Sequence, residues 1–598
     1  MHRKSLRMPR VCALMLGWGM LSVSQAAMGQ GACQQIRKAC QDAGFVQGAA
    51  STGNGLMLDC MAPIAQGRPQ RRKASKPLPQ VDAKVVAACL ADNPDFGQMK
   101  GARGEGGPAG SSAAGAGSGG SGTAAPAASK ATPLANSSKH PNIIFILTDD
   151  LSLNLVQYMP HVLQMQKDGA TFTNYFVTDS LCCPSRSSIF TGRYPHSTGV
   201  FKNEGADGGY SAYVHLGNEG AAFANALSAA GYRAAMMGKY LNGYQPERDP
   251  PGPGWTSWDV AGNGYPEFNY SLNEDGKIER HGNSPPDFLV DVLSGLGVDF
   301  IKQSKGQAFI IEIATFAPHA PYTPAPRDEN AFPGLRAPRN PAYNVAPDAD
   351  SAKWLRNQPP LRDAEMTRID EAFRKRAQSV LAVDKMIGDL QAAVAAIGEE
   401  KNTYFVFSSD NGYHMGEHRL RPGKMTAFDT DIHVPLIVTG PGVPAGLSVG
   451  EVVENIDLNP TFTELTGIAP MPTVEGHSLV TLLQGQKAKN KNDDWRTVTL
   501  VEHHGPLLEP SDPDMPARRS GNPPSYEAIR SRTAVYVEYA DGDREYHDLV
   551  ADPWELHNTF SSLPQAQKDS LHAAVAAIQS CKDAASCWAA QHVKLAAR

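Results

Sequence analysis

Pro141-Asn142-Ile143-Ile144-Phe145-Ile146-Leu147-Thr148-Asp149-Asp150 is a continuous apolar run of strand length that ends in two carboxylates. A run that is apolar throughout, instead of alternating, predicts a strand buried on both faces. Three later runs have the same form. Tyr232 to Met237 leads into Gly238-Lys239, Phe309 to Thr315 into Phe316-Ala317-Pro318-His319, and Tyr404 to Ser408 into Ser409-Asp410-Asn411. Helical patterns such as Ala221 to Ala230 and Glu371 to Ile397 lie between them, and this alternation predicts a mainly parallel sheet with helices on both faces. In such sheets ligands bind beyond the carboxyl ends of the strands, and all four polar clusters fall at such an end. One acidic pair after a strand is an ordinary turn; four coincident cases mark a site.

Between the first and second of these strands lies Ser180-Leu181-Cys182-Cys183-Pro184-Ser185-Arg186-Ser187-Ser188-Ile189-Phe190-Thr191-Gly192-Arg193. Pro184 suits the first turn of a helix, where its missing N–H costs nothing, and Ser185 to Phe190 can propagate it. The two cysteines then stand at the helix N-terminus, where unpaired amides and the macrodipole favour an anion. Arg186 adds a fixed positive fork. Taken alone, the pair reads as two buried structural cysteines.

The chain has 598 residues, enough to bury a large core. Its 41% hydrophobic and 19% charged content is that of a globular protein, and a net charge of -6 offers no broad basic surface for nucleic acid. Residues 1–27 carry a basic start, an apolar core from Val11 to Val23 and small residues at Ser24 to Ala27, the pattern of a secretory signal peptide. The apolar run is shorter than the roughly 20 residues a spanning helix needs, and no later stretch reaches that length. A secreted or periplasmic protein with no membrane span in the mature chain is expected. Nine cysteines suit an oxidising destination. Cys33, Cys40, Cys60 and Cys89 lie near the N-terminus and Cys581 and Cys587 near the C-terminus. These six can close three disulfides with the N-terminal connectivity open, leaving Cys182 and Cys183 for something else.

Residues 28–98 read as a small helical Cys-rich accessory module whose core needs staples. Residues 99–139, almost all Gly, Ala, Ser and Pro, read as a flexible linker; their GEGG and GSGG runs follow no strand and open no helix, so they are not phosphate loops. Residues 140–490 form the expected catalytic domain, with a further strand at Val434 to Thr439 and a helix cap at Asp457. Residues 491–598 form a C-terminal subdomain: Val498 to Glu502 and Thr533 to Glu538 alternate, Asp541-Gly542 supplies a hairpin turn before Arg544 to Leu549, and a helix runs from about Pro564 to Gln579.

Asp149, Asp150, Asp410 and Asn411 offer oxygen ligands only, the donor set of a hard cation such as Ca²⁺ or Mg²⁺. His414, Glu417 and His418 do not make a zinc helix, because Gly416 interrupts it and the HExxH order is absent.

Cys182-Cys183-Pro184-Ser185-Arg186 followed by Thr191-Gly192-Arg193 matches the C-x-P-S-R…T-G-[RK] signature, and over residues ~140 to 560 the chain resembles the type I, formylglycine-dependent sulfatases. The opening PNIIFILTDD, APHAPY at Ala317 to Tyr322, SSDNGYHMGEH at Ser408 to His418 and YHDLVADPWELHN at Tyr546 to Asn558 extend the likeness. The resemblance implies an alkaline-phosphatase-like α/β fold: a large mixed, mostly parallel sheet flanked by helices, with a smaller C-terminal antiparallel sheet. It implies that an outside maturation enzyme oxidises Cys182 to formylglycine, while Cys183 is structural. The hydrated aldehyde then attacks sulfur, the alcohol leaves, and the second hydroxyl expels sulfate. By the same likeness Asp149, Asp150, Asp410 and Asn411, completed by modified Cys182, hold one Ca²⁺ per chain. Arg186, Lys239 and Lys424 surround the sulfate, and His319 and Lys424 are candidates to protonate the leaving oxygen. Many members read G-K-W-H-x-G where this chain has Gly238-Lys239-Tyr240-Leu241-Asn242. The base for sulfate release is left open among Asn242, His196, His414 and water. The CCPSR, GKYLN and NGYH variants resemble the N-acetylglucosamine-6-sulfatase branch, including the extracellular heparan endosulfatases, more than simple arylsulfatases. A sulfated small molecule or glycan is the expected substrate. A phosphonate monoester or phosphodiester hydrolase, and a non-catalytic glycan-binding protein, are the competing readings.

Overall fold

A computed structural model describes residues 35–36, 38–40, 43–45, 56–66, 70, 76–92, 140–485, 495–507, 512 and 514–593. The expected signal peptide at 1–27, the expected linker at 99–139 and Cys33 lie outside these residues. Contacts divide the chain into two units, Met1–Ala125 and Pro126–Arg598. In the first, short helices at Leu56–Met61, Ala62–Gln66 and Ala83–Asp92 gather Ile36, Phe45, Met61 and Cys89 into a small buried cluster. Cys40–Cys60 is a disulfide and Cys89 is also disulfide-bonded, the staples that so small a core requires.

The second unit is built on a ten-stranded sheet. In chain order its strands are β1 (Asn142–Thr148), β2 (Ala170–Phe172), β3 (Arg233–Lys239), β4 (Ser257–Ala261), β5 (Ser271–Glu274), β6 (Lys277–Arg280), β7 (Phe309–Ala314), β8 (Thr403–Ser409), β9 (Leu436–Thr439) and β10 (Leu447–Val449). They lie side by side as β10-β2-β9-β8-β1-β7-β3-β4-β5-β6. The five central strands from β8 to β4 are parallel. The strand expected at Val434 to Thr439 forms as β9 but runs antiparallel to β8, and the hairpin β5–β6 closes the opposite edge.

Because successive side chains of β1 point to opposite faces, its apolar run serves two cores. Ile143, Phe145 and Leu147 join a cluster with Ile189, Phe190 and Phe462. Ile144 and Ile146 join another with Leu293, Phe300, Phe373 and Val383. The first face carries α1 (Cys182–Thr191); the second carries α2 (Leu289–Gln303) and α3 (Asp363–Ile397). All five of these β1 side chains are fully buried, each contributing on the order of 1.5–3 kcal/mol. Alternating polarity would have lost one core.

A second sheet, β11 (Val498–His503), β12 (Tyr526–Ser531), β13 (Ala534–Tyr539) and β14 (Arg544–Asp548), is antiparallel throughout. The hairpin at Asp541-Gly542 forms as expected, whereas β12 follows a proline-rich stretch and was not anticipated. Helix α4 (Gln565–Gln579) covers this sheet, and the Cys581–Cys587 disulfide follows it. Asp457 does stand at a helix N-cap position but does not cap with its side chain. Its carboxylate instead accepts from the backbone N–H of Glu454 (2.8 Å) and His477 (2.7 Å) and from Arg496 (2.5 Å).

Glu312 breaks the apolar pattern in the middle of β7. It is fully buried and neither carboxylate oxygen has a hydrogen-bond partner. Burial pushes its pKa up to about 8, opposed by Arg186. The fold favours the protonated acid, so this contribution to stability is complete below the ordinary value of 4.5 and is lost as pH rises through about 8. Glu312→Gln removes the titration. Urea unfolding between about pH 5 and 9 is expected to show the wild type losing a few kcal/mol relative to the variant.

Candidate active site

Parallel strands deliver their carboxyl ends to one edge, and there the four polar clusters meet. Asp149 and Asp150 follow β1, Lys239 ends β3, His319 follows β7, and Asp410 and Asn411 follow β8. Helix α1 lies across these ends with all ten residues buried. Its geometry sorts its side chains. Cys182 and Arg186, four residues apart, share one face. Cys183, one residue on, turns into the apolar core, where burial pushes its thiol up to about 12.

Arg186 is the bracket of the site. Its Nε donates to Asp410 Oδ2 at 2.8 Å and its Nη1 to the Lys239 carbonyl at 2.9 Å, tying α1 to the ends of β8 and β3. Lys239 Nζ donates to Asp149 Oδ2 at 2.5 Å and lies 4.9 Å from the Tyr265 ring centroid. Lys424 Nζ reaches Asp150 Oδ1 at 2.7 Å and Cys182 Sγ at 2.9 Å. Cys182 Sγ donates to Asp149 Oδ1 at 3.0 Å. Asp150 stands at φ +65°, a left-handed conformation uncommon for a side-chain-bearing residue. Its carbonyl is held by Arg376 of α3.

Burial raises Asp410, but Arg186, Lys239 and Lys424 outweigh it and hold the carboxyl down at about 2. For Asp149 burial wins over Lys239 and the pKa is raised. Burial and the nearby carboxylates of Asp149 and Asp410 hold the Cys182 thiol well above its ordinary value. As a cysteine it is therefore a protonated, poor nucleophile.

Asp149, Asp150, Asp410 and Cys182 present ligand atoms within 4.8 Å of one another. Asn411 donates Nδ2 to Asp150 Oδ1 at 2.7 Å and leaves its own Oδ1 buried with no hydrogen-bond donor. A buried carbonyl oxygen without a donor, on a residue bonded to Asp150, fits a hard cation, which would satisfy it. Asp150, His319 and Asp514 also converge. There, however, the ammonium of Lys424 lies 2.7 Å from Asp150 and 2.8 Å from Asp514, filling the place of a second cation.

Asp514 was not singled out from the sequence, where it stands among prolines and aspartates without periodicity. It is buried and accepts from Lys424, from His319 Nε2 at 2.6 Å and from Asn203 Nδ2 at 2.6 Å. His319 Nδ1 faces the Ala320 carbonyl at 2.7 Å. With acceptors at both ring nitrogens the imidazolium is the form that satisfies both. Burial works against that charge, but Asp150, Asp149 and Asp514 raise the pKa.

His196 and His414 do not join this group. His196 is held between Glu502 (2.8 Å) and the Cys581 carbonyl (3.3 Å), and His414 between Asp431 (2.9 Å) and the Ser520 carbonyl (3.1 Å). Asn242 stands at the rim, 3.4 Å from Asp514 Oδ2.

The Sulfatase family model matches residues 141–468, a span that contains every residue so far placed at the strand ends and on α1. The chain belongs to the sulfatase family. This is a family of sulfuric ester hydrolases, and the N-sulphoglucosamine sulphohydrolase C-terminal model matches residues 416–580. Human N-acetylglucosamine-6-sulfatase is 33% identical over 484 residues, covering 75% of this sulfatase and 86% of the human protein. The extracellular sulfatase SULF-1 homolog of Drosophila melanogaster is 34% identical over 375 residues, 61% of this chain and 33% of that protein. A solved structure in complex with its substrate D-glucosamine-2-N,6-O-disulfate shares the fold, with TM-score 0.60, 22% identity and coverage of 72% and 96% of the two chains. The phosphonate monoester hydrolase of Agrobacterium radiobacter also shares it, with TM-score 0.55, 19% identity and coverage of 71% and 93%.

Asp514 links the lysine and the histidine through one charge. Asp514→Asn keeps the shape and removes the charge, and is expected to lower kcat for an aryl sulfate on the order of a hundredfold with a smaller change in KM. Steady-state sulfate release is the measurement.

Proposed function

We propose that this sulfatase cleaves sulfate monoesters of sugars, with N-acetylglucosamine 6-sulfate the first substrate to test. In this reading Cys182 is converted to formylglycine by a separate maturation enzyme, and Asp149, Asp150, Asp410 and Asn411 hold one calcium ion with the modified residue. The observation that carries it is the placement of Cys182. It is fully buried at the first turn of α1, between Asp149 and Lys424, where an oxygen nucleophile would serve and a neutral thiol would not.

Calcium would supply Lewis-acid polarisation of the sulfate and activation of the nucleophile. Arg186, Lys239 and Lys424 stabilise charge spread over the sulfuryl oxygens, because their positions are set by carboxylates before substrate arrives. Arg186 keeps one amino group, Nη2, buried and without a hydrogen-bond partner, a donor available to an anion. His319, held as imidazolium, and Lys424 supply a proton to the leaving alkoxide. Tyr265 and Phe316 crowd Lys239 with aromatic rings and limit water around it.

Residues 1–27 are read as a signal peptide, 28–98 as an accessory module, 99–139 as a linker, 140–490 as the catalytic domain and 491–598 as its C-terminal subdomain. Secretion, outside the cell or into a periplasm, agrees with the extracellular sulfatase homologs of Drosophila melanogaster and Caenorhabditis elegans among the relatives. Among the described residues no helix is long and apolar enough to cross a membrane.

Mass spectrometry of the peptide containing Cys182, from protein made with a maturation enzyme, is expected to show conversion of thiol to aldehyde. An unmodified thiol in fully active protein would sink the mechanism. Cys182→Ala is expected to lower kcat/KM by roughly a thousandfold or more. A calcium chelator should abolish activity and added calcium restore it. Parallel assays with an aryl sulfate and an aryl phosphodiester are expected to favour the sulfate; a large preference for the diester would favour the phosphorus reading instead.

A further inference from the structure

The cavity above Lys424, His319 and Asp150 measures about 500 Å³, within the range of small-ligand pockets. Its far wall is built from another kind of residue. Arg368 of α3 and Arg421 line it, with Ile369 and Ala372 adding apolar surface. Glu365, one helical turn before Arg368, is buried and is the carboxylate on which the wall is assembled. It accepts from Arg421 Nε at 2.9 Å, Arg362 Nε at 3.2 Å and Arg519 Nη1 at 3.4 Å.

Three guanidiniums share one carboxylate, and Arg368 stands beside them. Its Nε is bonded to the Ala364 carbonyl at 3.1 Å, and its two terminal amino groups make no hydrogen bond among the described residues. At Arg519 burial and the neighbouring guanidiniums act in the same direction. Burial lowers its pKa, Glu365 opposes that, and Arg421, Arg362 and Arg518 lower it further. Like charges gathered at a pocket wall in excess of their counter-charge favour an incoming anion. Arg421 is three residues from Lys424, so the chain between them spans at most about 10 Å. Both ends of one sugar or a disaccharide fall within that reach.

We propose that Arg368 and Arg421 form an anion subsite that holds a second negative group of the substrate, a sulfate or a carboxylate, while the scissile sulfate lies at Lys424 and Arg186. The preferred substrate is then a sugar bearing at least two anionic groups. This rests on the sulfate-ester reading of the reactive end, and its test is arranged to fail separately.

Three substrates distinguish the sources of the second charge: N-acetylglucosamine 6-sulfate, with one anion; N-sulfoglucosamine 6-sulfate, with the second anion on the same ring; and a disaccharide joining N-acetylglucosamine 6-sulfate to a uronic acid. One of the two-anion substrates is expected to exceed the first in kcat/KM on the order of tenfold, chiefly through KM, the scale of a charge-assisted hydrogen bond. Arg368→Gln, at an exposed helix position, should remove most of that advantage, lowering kcat/KM for the two-anion substrate far more than for 4-nitrophenyl sulfate. Equal kcat/KM for all three, or an advantage that survives both Arg368→Gln and Arg421→Gln, would overturn the subsite. Calorimetric binding of the same sugars to Cys182→Ala protein gives a readout independent of turnover. Tighter binding of a two-anion sugar that depends on Arg368 supports the subsite even if no sulfate is released, an outcome that would refute the hydrolase reading alone. Equal binding of all three refutes the subsite whatever the turnover.

Discussion

Everything at the strand ends depends on burying several charges together. Asp149, Asp150 and Asp410 are each at most 1% exposed, and a lone buried carboxylate would neutralise itself by taking a proton. Here Arg186, Lys239 and Lys424 answer them at 2.5 to 2.8 Å. The pairing is not a device for stability, since a buried ion pair regains little more than its desolvation cost. What it provides is position. The carboxylates come from two adjacent strand ends, Asp149 and Asp150 from β1 and Asp410 from β8, so the positions of the cations follow those of the strands.

That spacing is rigid because the sheet beneath is packed on both faces. The apolar run of β1 fills two cores at once, and β1 is one of five central strands that run parallel, so their carboxyl ends arrive together. Helix α1 is the joint between sheet and chemistry. Its turn places Cys182 and Arg186 on the polar face and Cys183 in the core, while the Arg186 fork bridges two strand ends. A lysine at position 186 could not make both contacts from one planar group. Glu312, buried beside Arg186 in the sheet, marks how near the apolar core and the charged site lie.

Much of this was legible in the chain. A strand whose five inner residues, Ile143 to Leu147, are all apolar implies burial on both faces, and its repetition with polar ends located the site. Asp149, Asp150, Lys239, His319, Asp410 and Asn411 are all strand-terminal, and that is why pattern alone could find them. Cys182 and Arg186 followed from the resemblance of Cys182-Cys183-Pro184-Ser185-Arg186 to the sulfatase signature. Asp514 was not legible, because it comes from a polar loop that carries no periodicity and lies nearly a hundred residues beyond Lys424. The exclusion of His196 and His414 was equally out of reach: each is a histidine in a polar context, and only its partners, Glu502 and Asp431, show that it is occupied elsewhere. β12 was missed because its flanking prolines read as loop, and the antiparallel direction of β9 because direction leaves no mark on an apolar run.

The sequence by itself determined the parallel core of the sheet, the family signature and the acidic and basic residues at the strand ends. These are local properties: periodicity, residue type and spacing within one element. The tertiary structure alone decided that Asn411 keeps a buried oxygen without a donor, that Asp514 joins the site from the C-terminal half, and that Arg362, Arg421 and Arg519 gather on Glu365. Those are relations between elements far apart in the chain, set by how the sheet twists and the helices pack, and side-chain order along one strand does not encode them.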